Sequence, residues 1–511
     1  AQEAGIPTKK FVDKNVKIFL ELCKKLDISN DRFIRTTEKK HVLTAQRLFN
    51  DAYKKGDIYK GKYEGYYCAG CEAFVTEKDL VEGKCPEHNK KPQHVSEENY
   101  FFKLSKYEKK IIKLLESKTF VLPKRYRNEV LSRVKADGLK DLCVSRRKLD
   151  WGIDVPFDKE YKIYVWYDAL INYLSGIDYP NKYWPCDVHV IGKGINFFHS
   201  VIWPAMLLSA NIPLPKTIAV HGYVNLSGRK ISKSAGQVID PLDLVEKYNV
   251  DALRYFLVRA IPFGSDGDFS EQALVERYNG ELANELGNLV SRTIGLSKGE
   301  ITKSKVNPKL SKLSLKVYKT ASAHIEKLDI SKAIEEVWVL IREVNKYIQD
   351  SKPWELEGAK RDEIIFNSAN CIKDICALVW PFIPSSAEEI AKRLGVKVPA
   401  FSELGKPFAG KVKKGKSIFP KLEYEEPEQV FNLNIRVGKV LSSDAVSEKL
   451  YKLNVDFGAF KRQVVAGLKK HFSKKELVGK NFVFLVNLKP AKIRGVISEA
   501  MILAVSNKDK L

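Results

Sequence analysis

Three short apolar runs, Tyr161-Lys-Ile-Tyr-Val-Trp166, Val188-His-Val-Ile-Gly192 and Thr217-Ile-Ala-Val-His221, are separated by helical stretches. Strands divided by crossover helices pair in parallel, so this alternation predicts an α/β domain with a parallel sheet. Open sheets of that type bind ligands beyond the carboxyl ends of their strands. Upstream, residues 8–25 and 38–56 repeat apolar side chains at helical spacing, with Phe11, Val16, Phe19 and Val42, Ala45, Phe49 among them. From about 270 to 394 the pattern is almost wholly helical and predicts a bundle. Residues 396–429 are rich in Lys, Pro and Gly and predict a tether. The tail carries β-type runs at Val437–Leu441, Leu453–Phe457, Phe482–Val486 and Met501–Val505, the pattern of a small barrel.

The 511 residues suit three or four domains, and no apolar run approaches the roughly 20 residues that span a bilayer. The formal charge is +24. Two accounts fit it: a partner with a phosphate backbone, whose neutralisation releases counterions, or a proteome biased towards lysine. Eight cysteines in so long a chain do not form a disulfide framework. A reducing, cytoplasmic setting follows as the expectation.

Two motifs carry chemistry. Gly228-Arg-Lys-Ile-Ser-Lys-Ser-Ala-Gly236 places Lys230 and Lys233 three apart, with Ser232 and Ser234 between and beyond. Such a cationic loop can close over a polyphosphate and offer charge where a leaving pyrophosphate builds it up, although taken alone it is more often an ordinary solvated turn. Cys68-x2-Cys71 and Cys85-x2-His88 have the spacing of a zinc knuckle. Three thiolates and an imidazole complete a closed tetrahedral shell, so the role expected for Zn²⁺ is structural.

The lysine loop resembles the KMSKS signature of class I aminoacyl-tRNA synthetases, with Ile231 in the methionine slot. Tyr164-Val-Trp-Tyr-Asp-Ala-Leu-Ile-Asn-Tyr173, His189-Val-Ile-Gly-Lys-Gly-Ile-Asn-Phe-Phe-His199, Trp203-Pro-Ala205 and Val220-His-Gly-Tyr223 resemble successive segments of methionyl-tRNA synthetases. Asp266 to Ser291, Lys352-Pro-Trp354 and Val486-Asn-Leu-Lys-Pro-Ala-Lys-Ile-Arg-Gly495 continue the likeness to the tail. The resemblance implies a bacterial-type enzyme that joins methionine to tRNA(Met), initiator and elongator, using ATP with Mg²⁺. Trp166, Ala169, Tyr173, Ile195 and His199 match its methionine pocket, and aromatic rings suit a polarizable thioether. Lys230 and Lys233 match its phosphate-binding residues, with Ser232 and Ser234 beside them. Asn288, Arg292 and Trp354 match positions that read the CAU anticodon, where unpaired bases stack and expose their edges. Lys489, Lys492 and Arg494 match the appended tRNA-binding OB-fold, which also implies a homodimer through the C-terminal domain.

The implied architecture is multidomain α/β. By that resemblance, residues 1–57, the remainder of a first half, and 158–225 form the two halves of a Rossmann-like class I catalytic fold, with 58–157 as the knuckle-bearing insert. A connecting region covers 226–270, an α-helical anticodon-binding bundle 271–395, a linker 396–429 and the OB-fold β-barrel 430–511. Three departures stand out. No His-x-Gly-His element is present, and the chain opens inside a helical stretch, so a missing N-terminal segment is expected, one needed for activity. Gly194 stands where the family usually has Asp, and Ala500 interrupts a Ser-x-Gly-Met element. The alternatives are a non-catalytic tRNA-binding derivative and another class I synthetase for an aliphatic amino acid. The intact lysine loop argues against the first, and the Trp166–Tyr173 segment, with no large editing domain, argues against the second.

Overall fold

The structure, a computed structural model, describes every residue except 2–3, 69–72, 76–79, 82, 87–89, 148, 227–228, 231–238, 425–432 and 505–511. The chain divides into a unit of residues 1–424 and a unit of residues 425–511.

The first unit is built around a parallel three-stranded sheet in the order Val121–Leu122, Thr217–His221, Val188–Gly192. Ile218, Ala219 and Val220 of its central strand are fully buried, as strands covered on both faces are. Two expectations change here. The run at Tyr161 is no member of this sheet: Asp158–Ile163 pairs antiparallel with Ser145–Arg147 and Asp154–Val155, and Val165–Leu170 is helix. The parallel sheet instead takes Val121–Leu122 from within the stretch read as insert. A two-residue strand leaves no periodic signal, so its partner was invisible in the sequence.

The rest of 58–157 rises on a long antiparallel hairpin, Ile58–Cys68 against Gln93–Phe102, in register from Ile58↔Phe102 to Tyr67↔Gln93. Thr8–Lys25 and Lys39–Lys54 are helices close to the predicted bounds.

Capping explains where the later helices begin. Asp240 and Asn307 accept hydrogen bonds from Leu242 and from Lys309 and Leu310, and a proline follows each at the first helical position. The bundle contains Asn288–Leu296, Pro308–Glu326, Ile330–Ser351, Gly358–Val379 and Pro384–Arg393. From Ile364 onward, Gly358–Val379 is buried on nearly every side, which marks it as the central helix.

The predicted tether does not hold for its described part. Leu404, Val412 and Phe419 are buried in the bundle core, and Gly410–Lys411 pairs with Glu300–Ile301. A buried ion pair does much of the fixing. Lys373 lies 3.2 Å from Asp374, donates to the carbonyls of Glu403 and Lys406, and Asp374 accepts from the Gly405 amide. Sparse apolar anchors at irregular spacing look like a linker in sequence, yet a few pockets and two buried charges suffice to dock them.

The second unit is an antiparallel sheet in the order Lys461–Ala466, Tyr451–Asp456, Ile435–Ala445, Asn481–Leu485, Met501–Ile502. The Glu499 amide donates to the Gln463 carbonyl and the Val465 amide to Ser498 Oγ, drawing the first strand towards the last as in a barrel. Val440, Leu453, Val455, Val464 and Phe484 fill its interior. A Cβ at Gly438 would lie 2.6 Å from the Phe457 ring, so that close crossing needs glycine. Ala500 is buried without strain at the closing edge.

Candidate active site and RNA-reading surfaces

The strand Val188–Gly192 runs into one turn of 3₁₀ helix, Lys193–Ile195, and then into a π-helical segment, Phe198–Ile202. Wider π turns recur at functional sites. Opposite lie the short helices Val165–Leu170 and Asn172–Ser175. Trp166 stacks on Phe198 at 4.4 Å between centroids and 22° between planes. Tyr173 Oη lies 2.8 Å from His199 Nε2, and His199 Nδ1 lies 3.0 Å from the Ile195 carbonyl. A carbonyl only accepts, so Nδ1 carries the proton and Nε2 accepts from the tyrosine hydroxyl. Three of the five candidate pocket residues, Tyr173, Ile195 and His199, are thus joined by direct contacts, Trp166 stacks on Phe198 next to His199, and half-buried Ala169 lies between Trp166 and Tyr173 on the same stretch.

Behind this pair is a cage that the sequence reading missed. His189 is buried among Tyr173, Trp184, His199 and Trp203, accepts from Trp203 Nε1 at 3.3 Å, and lies 3.4 Å from Cys186 Sγ. Its partner at Nε2 being a donor, the proton rests on Nδ1. Burial lowers the His199 pKa and, with the nearby His199, lowers that of His189 to about 4; burial raises Tyr173 to about 12. All three groups are neutral near pH 7. The wall is aromatic and uncharged, suited to an apolar, polarizable side chain. A histidine on an otherwise apolar strand, with two tryptophans within about one helical stretch, was the available signal.

At the same end of the sheet, Thr217–His221 continues through Gly222 and Tyr223 into the strand Val224–Leu226, which pairs antiparallel with Arg229–Lys230. Asn225 is opposite Lys230. The hairpin carrying the lysine signature therefore grows from the strand beside the one that leads to Ile195 and His199. Ser232, Lys233 and Ser234 lie outside the described residues. Its base is held by Asp266, which takes Lys193 Nζ at 2.6 Å and the Tyr223 amide at 2.8 Å. The hydrogen bond from Lys193 is the main cause that holds the Asp266 carboxyl below its usual range. A Cβ on Gly222 would meet the Ser265 carbonyl at 2.2 Å, so the two backbones touch there.

Gly194 has a spatial reason to be glycine. Its Cβ would lie 2.5 Å from Tyr223 Oη, and its φ is not positive, so room for the tyrosine hydroxyl is what the missing side chain provides. Where the sequence pattern showed only a lost carboxylate, the structure places a phenol.

The other candidate residues belong to other elements. In the bundle, the Arg292 guanidinium lies 5.2 Å from the Trp354 ring centroid and donates to Gln349 Oε1 at 3.2 Å. Asn288 is exposed one turn earlier on the same helix, and Trp354 is 45% exposed. In the second unit, Lys489, Lys492 and Arg494 are exposed on and before a hairpin, Ala491–Ile493 against Val496–Ser498. Arg494 takes a left-handed φ of 49° at its turn. Of the knuckle, Cys68 and Cys85 are buried, while Cys71 and His88 lie outside the described residues. Among the described residues no group of three or more potential metal donors occurs, and no helix is long and apolar enough to cross a membrane.

Comparison with known proteins decides the family. The model for class I tRNA synthetases (M) matches residues 1–95 and 87–294, that for the anticodon-binding domain of tRNA ligase 310–453, and that for a tRNA binding domain 435–511. The methionine–tRNA ligase of Caldanaerobacter subterraneus is 39% identical, aligning all of this chain with 88% of its own length. That of Clostridium tetani is 38% identical over the same shares. The chain belongs to the class I methionyl-tRNA synthetases. Among solved structures, the Mycobacterium tuberculosis methionyl-tRNA synthetase bound by methionyl-adenylate is similar with a TM-score of 0.77 and 34% identity, covering 82% of this chain and 89% of that one. This family membership leaves the roles of individual residues to geometry.

The buried histidines give the fold a pH signature. An unfolded chain protonates His189 near its ordinary 6.5, the folded one only near 4. Stability contributed by His189 is complete above pH 6.5 and is lost as pH falls from there towards 4. His41, buried against Ser175 and lowered to about 4 mainly by burial, acts in the same direction. Asp168, raised to about 7 by burial, acts oppositely, since its contribution is lost as pH rises. A difference measurement isolates His189. His189→Gln is expected to be less stable than the parent in urea unfolding at pH 7.5. That deficit should shrink by up to about 1.4 kcal/mol per pH unit between 6.5 and 4. A deficit independent of pH would contradict the neutral buried imidazole.

Proposed function

We infer that this chain works as a methionine–tRNA ligase, the reading carried by the uncharged aromatic pocket of Trp166, Phe198, Tyr173 and His199 beside the base of the lysine hairpin. The similarity to the M. tuberculosis enzyme bound by methionyl-adenylate supports it. A methionine carboxylate oxygen attacks the α-phosphorus of ATP, the bond to the β-phosphate breaks, and pyrophosphate leaves. A ribose hydroxyl of the terminal adenosine of tRNA then attacks the adenylate carbonyl and AMP departs. Little proton transfer is needed in the first step, so alignment and charge neutralisation carry it. In this reading Lys230 and Lys233 neutralise the phosphates with Mg²⁺, Ser232 and Ser234 line the same loop, and Trp166, Ala169, Tyr173, Ile195 and His199 enclose the thioether. Tyr173 turns its hydroxyl hydrogen to His199, which leaves its oxygen and ring face for the substrate.

The helical domain would read the anticodon through Asn288, Arg292 and Trp354, of initiator and elongator tRNA(Met) alike. Support comes from a guanidinium that holds an exposed indole in place, a ready platform for an unpaired base. Lys489, Lys492 and Arg494 would add contacts to phosphate without reading sequence. Cys68 and Cys85 suit a structural Zn²⁺ as buried thiols on the hairpin insert, with Cys71 and His88 supplying the other donors. The second unit also has an apolar outer face. Ile435 and Val437, 50% and 63% exposed, lie opposite Leu485 and Val483, with Met501 opposite Leu485. A second copy of the chain is the partner proposed for that face.

Four outcomes test these assignments. Lys233→Ala should lower methionine-dependent ATP–pyrophosphate exchange by about a hundredfold with methionine affinity little changed, whereas Trp354→Ala should spare exchange and impair charging of tRNA. Equal loss in both reactions for Trp354→Ala would remove it from anticodon reading. Metal analysis should find one zinc per chain, and full occupancy in Cys71→Ser would exclude the knuckle. Sedimentation should show a dimer that Val437→Asp dissociates; a monomeric parent would end the proposal for the apolar face.

A further inference from the structure

Bordered by the Lys193–Ile195 turn, an open cleft of about 750 Å³ lies between the helix Lys124–Asp137 and the Tyr223–Asp266 joint. Its volume is in the upper part of the range of ligand sites, roughly 300–1,000 Å³. Three cations surround it, each resting on an aromatic ring. The Arg133 guanidinium lies 4.7 Å from the Phe197 centroid, that of Arg125 4.6 Å from Tyr126, and Lys193 Nζ 4.4 Å from Tyr223. Arg125 and Arg133 are exposed. Two carboxylates also line the cleft, Glu129 and Asp266, the second committed to Lys193 and the Tyr223 amide.

We propose that this cleft binds the single-stranded end of an RNA, its phosphates on Arg125 and Arg133 and an unpaired base against the Phe197–Arg133 pair. The chemistry is that of single-strand recognition: flat cationic and aromatic surfaces stack on base faces, which a duplex keeps covered, while cations follow the backbone. The position gives the site a purpose. Asn196 and Phe197 face the cleft, and Ile195 and His199 in the same ten residues face the methionine pocket. A strand lying in the cleft therefore has its terminus beside the place where an activated amino acid would be held. The proposal rests on the reading of the chain as a tRNA ligase and adds to it the path by which the acceptor end arrives.

The test uses the full chain and a fluorescent six-nucleotide RNA ending in CCA, with binding followed by anisotropy. Arg133→Ala and Arg125→Ala, both at exposed positions, should each weaken binding by about tenfold, the usual scale for losing one stacked or phosphate contact. Both should raise the KM for tRNA in charging and leave methionine-dependent pyrophosphate exchange at the parent rate. Undiminished oligonucleotide binding in both variants would overturn the proposal, as would no binding by the parent. A fall in exchange that tracks the fall in charging would also overturn it, because the cleft would then belong to ATP. A parent chain that binds the oligonucleotide but shows no methionine-dependent exchange would instead count against the ligase reading and leave the cleft standing.

Discussion

Five consecutive parallel pairs, from Thr217↔Val188 to His221↔Gly192, set the geometry on which the active end depends. Both strands stop level, and each delivers a different chemistry from its last residue. One continues into Ile195 and His199, the other into the hairpin that bears Lys230. A slip of one residue would displace one group relative to the other by about 3.3 Å and reverse every side chain. The register is defended twice. Asp266 bonds to Lys193 after one strand and to Tyr223 after the other, and Gly222 lets the Ser265 backbone close against the second exit. Two strands this short would not hold such alignment alone, which is the reason a carboxylate bridges their ends.

The two chemistries are kept electrically apart. Burial holds Tyr173, His189 and His199 in their neutral forms, so a charged side chain placed against them would lose its hydration without a counter-charge. Shape alone discriminates poorly between apolar side chains, by about 1–3 kcal/mol per methylene, so an uncharged wall with stacked rings serves exclusion of polar competitors better than fine sizing. Among the described residues, Arg125, Arg133 and Lys193 line the cleft beside the Lys193 turn. There, phosphate is the natural counter-ion, and long flexible side chains can follow it through a reaction.

Much of this was legible in the chain, and the exceptions share a cause. The helices Thr8–Lys25 and Lys39–Lys54 and the strands Val188–Gly192 and Thr217–His221 follow from period and composition, because each element's own residues decide it. The aromatic pocket residues were readable as a cluster, and the structure joins Trp166 to Phe198 and Tyr173 to His199. What stayed hidden depends on a distant partner. Val121–Leu122 is a strand because Thr217–His221 is beside it, and the segment after 396 docks on the bundle core, on the Glu300–Ile301 strand and on the Lys373–Asp374 pair. Tyr161 looked like part of the parallel sheet because an alternating run carries no record of which neighbour it pairs with. Cys71, His88 and Lys233 lie outside the described residues, so their placement adds nothing to what the spacing already implied.

Helical phase explains one further difficulty in reading sites from sequence. Phe198–Ile202 and Tyr278–Gly287 are π-helical, and each adjoins candidate functional residues, His199 in the first and Asn288 immediately after the second. A turn closed by i→i+5 bonds holds about one residue more than an α turn, so residues beyond it rotate away from the face that a 3.6-residue period assigns. Ten residues of such winding before Asn288 shift the whole following helix about its axis relative to the catalytic half. Asn288 and Arg292 keep their mutual spacing, since they and the three residues between them are α-helical. Their direction is set upstream, by Tyr278 and Leu282 packed in the core. These two candidate residues thus take their relative position from local winding and their aim from a defect in it.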